Sequence, residues 1–155
     1  MKVYEYNLKL NEDRLPILAE KAKYNIDGRR VFCSPAAIAE LAGPIIGLES
    51  AAEEYAYCIA FDLKQHVLGL FEVGHGGICS SMVDIRGIFQ KSLMIGAARV
   101  ALVYNHPSGD CMPSREDDAV TQKVKTAGQY IGVDLIDHVI IGNRCYYSYQ
   151  EERRL

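Results

Sequence analysis

No apolar run in the chain approaches the roughly 20 residues needed to span a bilayer. The N-terminus MKVYEYNLKL alternates polar and apolar residues and lacks the continuous apolar core of a signal peptide. Membrane insertion and export are therefore not expected, and the chain reads as cytoplasmic. There is no C-x-x-C pair: Cys33, Cys58, Cys79, Cys111 and Cys145 are odd in number and scattered, which fits reduced thiols better than a disulfide framework. There is no dense block of Lys or Arg, and the formal net charge is −3. Non-specific nucleic-acid binding rests on cationic side chains that neutralise phosphates, so composition offers direct nucleic-acid contact no support. Internal repeats, linkers and low-complexity stretches are also missing. What is present is an ordinary globular balance, 49% hydrophobic and 24% charged over 155 residues, which suits one core.

The pattern along the chain predicts a mixed sheet with helices against it. Residues 3–10 alternate as a strand, with Tyr4, Tyr6, Leu8 and Leu10 on one side and Val3, Glu5, Asn7 and Lys9 on the other. A short helix is expected from Glu12 to Lys23, followed by a turn cluster at Asn25–Gly28. Ser34-Pro35 is a helix start, Ser as N-cap and Pro at the first helical position, and Gly43-Pro44 should end or kink that helix. Glu54 to Leu63 is the clearest strand. Both of its faces are apolar, one large (Tyr55, Tyr57, Ile59, Phe61) and one small (Ala56, Cys58, Ala60), as expected of a central strand covered on both sides. Asp62–Gln65 turns into a second strand, Val67 to Val73, after which Gly74, Gly76 and Gly77 loosen the chain. A helix from Ile85 to Ala97 has one inward stripe. Arg99 to Asn105 is a short apolar strand, a loop covers 106–113, and a helix runs from Arg115 to about Tyr130. Val133 to Ile141 and Arg144 to Tyr149 are the closing strands.

Chemistry concentrates in Tyr104-Asn105-His106-Pro107-Ser108-Gly109-Asp110 and Pro113-Ser114-Arg115-Glu116-Asp117. Asp117 lies at the edge of the inward stripe of its helix, where an ionised carboxylate needs a partner. Ser114-x-x-Asp117 is close to a capping box, which would supply one. His106, at the end of an apolar strand with seven residues separating it from Ser114, supplies another: a strand-end imidazole and a first-turn carboxylate can converge on one metal ion. His106 taken alone also reads as a hydrogen-bonded loop residue.

These segments resemble the JAMM motif, H-x-H, seven residues, S-x-x-D, of the JAB/MPN metallopeptidases. They are most similar to the RadC branch, through NHPSGD at 105–110, PSRED at 113–117, LIDHVIIG at 135–142, DIRGIF at 84–89 and AFDLKQ at 60–65. The similarity covers roughly residues 50–150 and implies one domain over 1–155. Its fold would be the cytidine-deaminase-like α/β (α+β type) arrangement of a mixed central sheet flanked by helices. It further implies that His106 and Asp117 are zinc ligands and that Ser114 bonds the developing oxyanion. The catalytic glutamate, eight residues before the Asp of the turn, would be Glu54 rather than Glu53. Glu54 would act as general base towards a zinc-bound water and then as general acid. Without the resemblance Glu54 is simply a strand-start carboxylate. Substrates or partners would be peptides or isopeptide-linked proteins. The family's historical name associates it with DNA repair, and self-association as a homodimer is left open.

The chain departs from the motif at its first histidine, which is Tyr104. Alternate strand residues point the same way, so the phenol should aim where a third ligand belongs. Zn2+ is then expected to bind weakly or substoichiometrically, and hydrolysis to be weak or lost, leaving a non-catalytic binding module as the alternative. A phenolate at Tyr104, a thiolate at Cys111 or an imidazole at His75 is a candidate substitute ligand. His138 reads as a structural hydrogen-bonding residue and His66 as a solvated turn residue.

Overall fold

The structure, a computed structural model, describes residues 1–26, 31–32, 34–76 and 83–155. Asp27 and Gly28 of the turn cluster, Gly77, Cys33 and Cys79 lie outside the described residues. Among the described residues seven strands form one mixed sheet in the order β2-β1-β4-β3-β5-β6-β7. The strands are β1 (Lys2–Leu10), β2 (Pro16–Asn25), β3 (Tyr55–Phe61), β4 (Val67–His75), β5 (Arg99–Asn105), β6 (Asp134–Ile141) and β7 (Tyr146–Ser148). β3 is the central strand, antiparallel to both β4 and β5, while β5 and β6 run parallel.

The two-sided pattern of β3 divides the core. Tyr57, Ile59 and Phe61 pack with Ile38, Leu41 and Val139 on one side. Ala56, Cys58 and Ala60 face Ile88, Phe89 and Val124 on the other. The small side chains make room on that second face for two helices, α2 (Ile85–Met94) and α3 (Arg115–Ile131). The first face is covered by α1 (Pro35–Glu40), where Ser34 Oγ accepts from the Ala37 amide at 3.3 Å and Pro35 opens the helix. Pro44, which has no N–H to donate, sits inside a wider π-helical turn over Leu41–Ile45, closed by the Ile46 amide donating to the Leu41 carbonyl at 3.0 Å. The strand β3 stops at Phe61 because the next residue builds the turn: Asp62 Oδ1 accepts from the amides of Lys64 (2.8 Å) and His66 (2.9 Å).

One expectation is overturned. The stretch Glu12–Lys23 is no helix; most of it is β2, paired antiparallel with β1 over Lys2–Leu10. Leu, Ala, Glu and Lys favour helix only weakly, and pairing with an exposed strand outweighs that preference. A turn at Asn11–Leu15, with Arg14 at φ +64° and Asn11 Oδ1 accepting from the Leu15 amide, reverses the chain. Pro16, unable to donate, opens the edge strand, the place in a sheet where Pro is tolerated.

This pairing also accounts for Glu5, which the alternation put on a polar side of β1 but which is 1% exposed. Its carboxylate is held by Lys21 Nζ at 2.7 Å, Tyr24 OH at 2.8 Å and Tyr57 OH at 3.2 Å. A buried charge with this many donors is compensated, and the cluster fastens the β1–β2 hairpin to the sheet.

Candidate active site

The parallel strands β5 and β6 end side by side, and the segment following β5 builds the site. The His106 amide donates to the Ile141 carbonyl at 2.9 Å, and the Gly109 amide returns to the His106 carbonyl at 2.9 Å. His106 Nδ1 pairs with the Asp110 carbonyl at 2.9 Å, so Nδ1 carries a proton and Nε2 is the atom presented to the site. Nε2 lies 3.5 Å from Asp117 Oδ2. This is long for a hydrogen bond, but it matches two donor atoms on one tetrahedral zinc, which bonds of about 2.0–2.2 Å hold roughly 3.3–3.5 Å apart.

Asp117 is held at the start of α3 by a complete capping box. Ser114 Oγ accepts from the Asp117 amide at 3.1 Å, and Asp117 Oδ2 accepts from the Ser114 amide at 2.7 Å and the Ser114 hydroxyl at 2.6 Å. The two readings of this residue are thus compatible, since one carboxylate caps the helix and faces His106. Burial alone would push the Asp117 carboxyl up; His106 and Ser114 outweigh it and hold it down at about 2. Reciprocally, Asp117 pulls His106 above its ordinary value against the opposing effect of burial. The Ser114 hydroxyl proton is committed to Asp117, so helping an oxyanion would require it to turn away.

Glu54 precedes β3, is half-buried and lines a cleft of about 740 Å³ together with Glu53, Gly76, His106, Pro107 and Ser108. Burial raises its carboxyl above the ordinary range; His106 opposes this and Asp117 adds to it. A second cleft of about 250 Å³ shares His106, Pro107 and Ser108 with the first and is also lined by Leu48, Asn105, Gly109, Gly142 and Asn143. Asn105 escaped the sequence reading because alternation aims it away from the His106 face. It is 2% exposed. Its Oδ1 accepts from the Tyr55 amide at 2.8 Å and its Nδ2 donates to the Glu53 carbonyl at 2.9 Å, gripping the backbone on either side of Glu54. Asn105 is a positioning residue for Glu54.

Tyr104 is fully buried in the core layer that includes Ile88 and Phe89 of α2 and Val124 of α3. Burial first, then Asp117 and Glu54, push its phenol far above the ordinary value, so it stays neutral and is a poor ligand. Its hydroxyl and His138 Nε2 are buried and have no hydrogen-bond partner among the described residues. The two rings meet edge to face with centroids 4.3 Å apart. His138 pairs through Nδ1 with Thr121 Oγ1 at 2.7 Å, and that hydroxyl donates to the Asp117 carbonyl at 2.6 Å.

The other substitute candidates are engaged elsewhere. His75 stacks on Tyr55 at 4.2 Å and binds Glu53 Oε2 through Nε2 at 2.8 Å. His66, never a ligand candidate but a turn residue, stays partly exposed and pairs with Asp62 Oδ2 at 2.8 Å. Cys111 lies against Cys145, across Gly142 from it. Among the described residues no three His, Cys, Asp or Glu side chains converge as a metal site. His106 and Asp117 are spaced as two donors to one zinc would be.

Gly142 closes the LIDHVIIG segment for a steric reason. A Cβ there would lie 2.5 Å from the Gly109 carbonyl oxygen, 2.7 Å from Cys145 Sγ and 2.9 Å from the Cys111 amide. Two of these are backbone atoms that cannot swing aside, so Gly142→Ala should displace the 109–111 segment and cost about 1–3 kcal/mol. Urea denaturation would register this as a lower midpoint, and an unchanged midpoint would contradict the packing.

A mixed sheet with helices on both faces, carrying a strand-end histidine over a capped aspartate, is the arrangement of the JAB class. Residues 32–155 match the model of the RadC-like JAB domain, and the chain belongs to that family. A UPF0758 protein of Thermotoga maritima is 36% identical over 121 residues, covering 70% of this chain and 54% of that protein. One from Methanosarcina barkeri is 36% identical over 124 residues, 80% of this chain and 53% of its own length. One from Bacillus licheniformis is 40% identical over 101 residues, 65% and 45% respectively. The chain spans about half the length of these relatives. Among the described residues no helix is long and apolar enough to cross a membrane.

Proposed function

We propose that this chain is a metal-poor RadC-like JAB domain, whose cleft holds a peptide or isopeptide-linked chain while hydrolysis is weak or lost. The observation that carries this reading is the buried, neutral Tyr104 beside a His106–Asp117 pair 3.5 Å apart. Two protein donors are too few for a catalytic zinc site, which normally keeps three plus an open position for water. His106 and Asp117 would hold whatever zinc binds, and a bound zinc would supply a water acidified towards neutral pH. Glu54, raised by burial and pinned through Asn105, would take up a proton at its carboxylate. The Asp110 carbonyl keeps His106 Nε2 facing the cleft.

Elemental analysis of protein purified without chelator tests the reading. It should give well below one zinc per chain, and a zinc-supplemented sample should leave a fluorogenic isopeptide-linked peptide uncut. One tightly held zinc per chain, or turnover that a chelator abolishes, would favour the working-hydrolase alternative instead.

A further inference from the structure

Next to the site, two thiols far apart in sequence are brought together by crossing segments. Cys111 follows the His106–Asp110 stretch, and Cys145 lies in the β6–β7 turn. The crossing is tight. The Asn143 amide donates to the Gly109 carbonyl at 2.9 Å, and the Gly142 amide donates to the Cys145 carbonyl at 2.9 Å. The missing side chain of Gly142 lets the strands approach: its Cβ position is 2.7 Å from Cys145 Sγ and 2.9 Å from the Cys111 amide. The sulfur therefore lies within the sum of those distances from the Cys111 backbone. The Cys145 thiol donates only a weak bond, 3.7 Å, to the Gly109 carbonyl, so it gives up little by rotating. Cys145 is exposed and Cys111 partly buried, whereas Cys58 is buried far from any oxidant. After burial, Cys145 is the largest influence on the Cys111 thiol.

We infer that Cys111 and Cys145 form a reversible disulfide that staples the His106–Asp117 loop to the β6–β7 turn. Both are reduced at rest, and hydrogen peroxide is the class of oxidant. The exposed Cys145 thiolate attacks one peroxide oxygen; the O–O bond breaks, a sulfenic acid forms and the departing hydroxide leaves as water. The Cys111 sulfur then attacks the sulfenic sulfur, the S–O bond breaks, and a second water carries off the hydroxyl and the thiol proton. Two thiols and one peroxide yield one disulfide and two waters. A dithiol reductant reverses the bond by thiol–disulfide exchange. Its consequence is local: the segment lining the 250 Å³ cleft at Gly109, Gly142 and Asn143 is locked in one arrangement.

The test is mass mapping of the full chain after brief peroxide treatment and alkylation. A linked peptide pair joining Cys111 to Cys145 is expected, with the loss of two hydrogens, reversal by dithiothreitol and absence of the link in Cys145→Ser. The oxidised wild type should melt roughly 5–10 °C above the reduced form, because closing the intervening loop restricts the unfolded chain. The inference fails if both thiols are alkylated separately after peroxide, if Cys145 proceeds to sulfinic acid beside a free Cys111, or if the link joins other cysteines. The wild-type map decides the matter even if Cys145→Ser does not fold.

Discussion

Replacing Tyr104 by histidine should raise zinc affinity by about 100-fold or more. The direction follows from geometry: position 104 shares the strand face of His106, its side chain is fully buried, and Asp117 and Glu54 both act on its hydroxyl. An imidazole there would add a third donor to a pair already spaced for one ion. The magnitude is a lower bound by comparison: removing residues that merely orient ligands costs about 10–100-fold in metal affinity, so supplying a ligand should count for at least the upper end. Competition against a chromophoric chelator measures it. Tyr104→Phe is the control, because it removes the partnerless hydroxyl and adds no donor, so affinity should stay where it is. Equal affinities for wild type and Tyr104→His would mean that position 104 does not face the ion.

The second large effect is a pH-dependent loss of stability traced to His138. Burial drives this imidazole from 6.5 down to about 4; Asp117 opposes the shift and His106 reinforces it. Because the folded value lies below the unfolded one, the unfolded chain takes up the proton first as pH falls. The stability that neutral His138 confers is complete above about pH 6.5 and drains away down to about pH 4, amounting to about 3 kcal/mol. Asp137, in the next position, has the opposite sign. Burial raises it from 3.8 to about 6, despite donors from Ser148 and the Gln150 amide, so the folded chain binds that proton first and gains stability over a nearby range. The wild-type profile alone therefore mixes two slopes. Comparison with His138→Phe separates them, since Phe keeps the ring contacts with Tyr104 and Tyr149 and Thr121 still bonds the Asp117 carbonyl. The stability gap between wild type and variant should shrink by about 3 kcal/mol from pH 7 to pH 4. Parallel denaturation profiles would show that His138 titrates alike in both states.

The parts of this molecule that could be read in the sequence are those whose signal is local. β3 shows its two faces in seven residues. α1 and α3 show their caps in the serines that open them, whereas the asparagine grip on Glu54 emerges only in the fold. The β1–β2 hairpin was misread because Pro16–Asn25 carries a helix-prone composition and its strand identity is imposed by β1. Glu5 was misplaced for the same reason, since two of its three partners come from β2. The approach of His106 to Asp117 was legible, because both sit in one short motif. The burial that keeps Tyr104 neutral was not legible, nor was the crossing that brings Cys111 to Cys145, because 33 intervening residues carry no trace of that contact.

The hairpin has a further consequence. Residues 2–25 precede the matched family region, which starts at 32, yet β1 lies along the flank of β4 and Tyr57 in the central strand gives its hydroxyl to Glu5. A protein trimmed to the shared family region would lose the strand paired with β4 at Glu5 and Leu70 and leave β4 as an open sheet edge, a template for sticking to other molecules. The leading segment thus serves as a built-in guard rail against clumping, and shortened versions should be handled with that liability in mind.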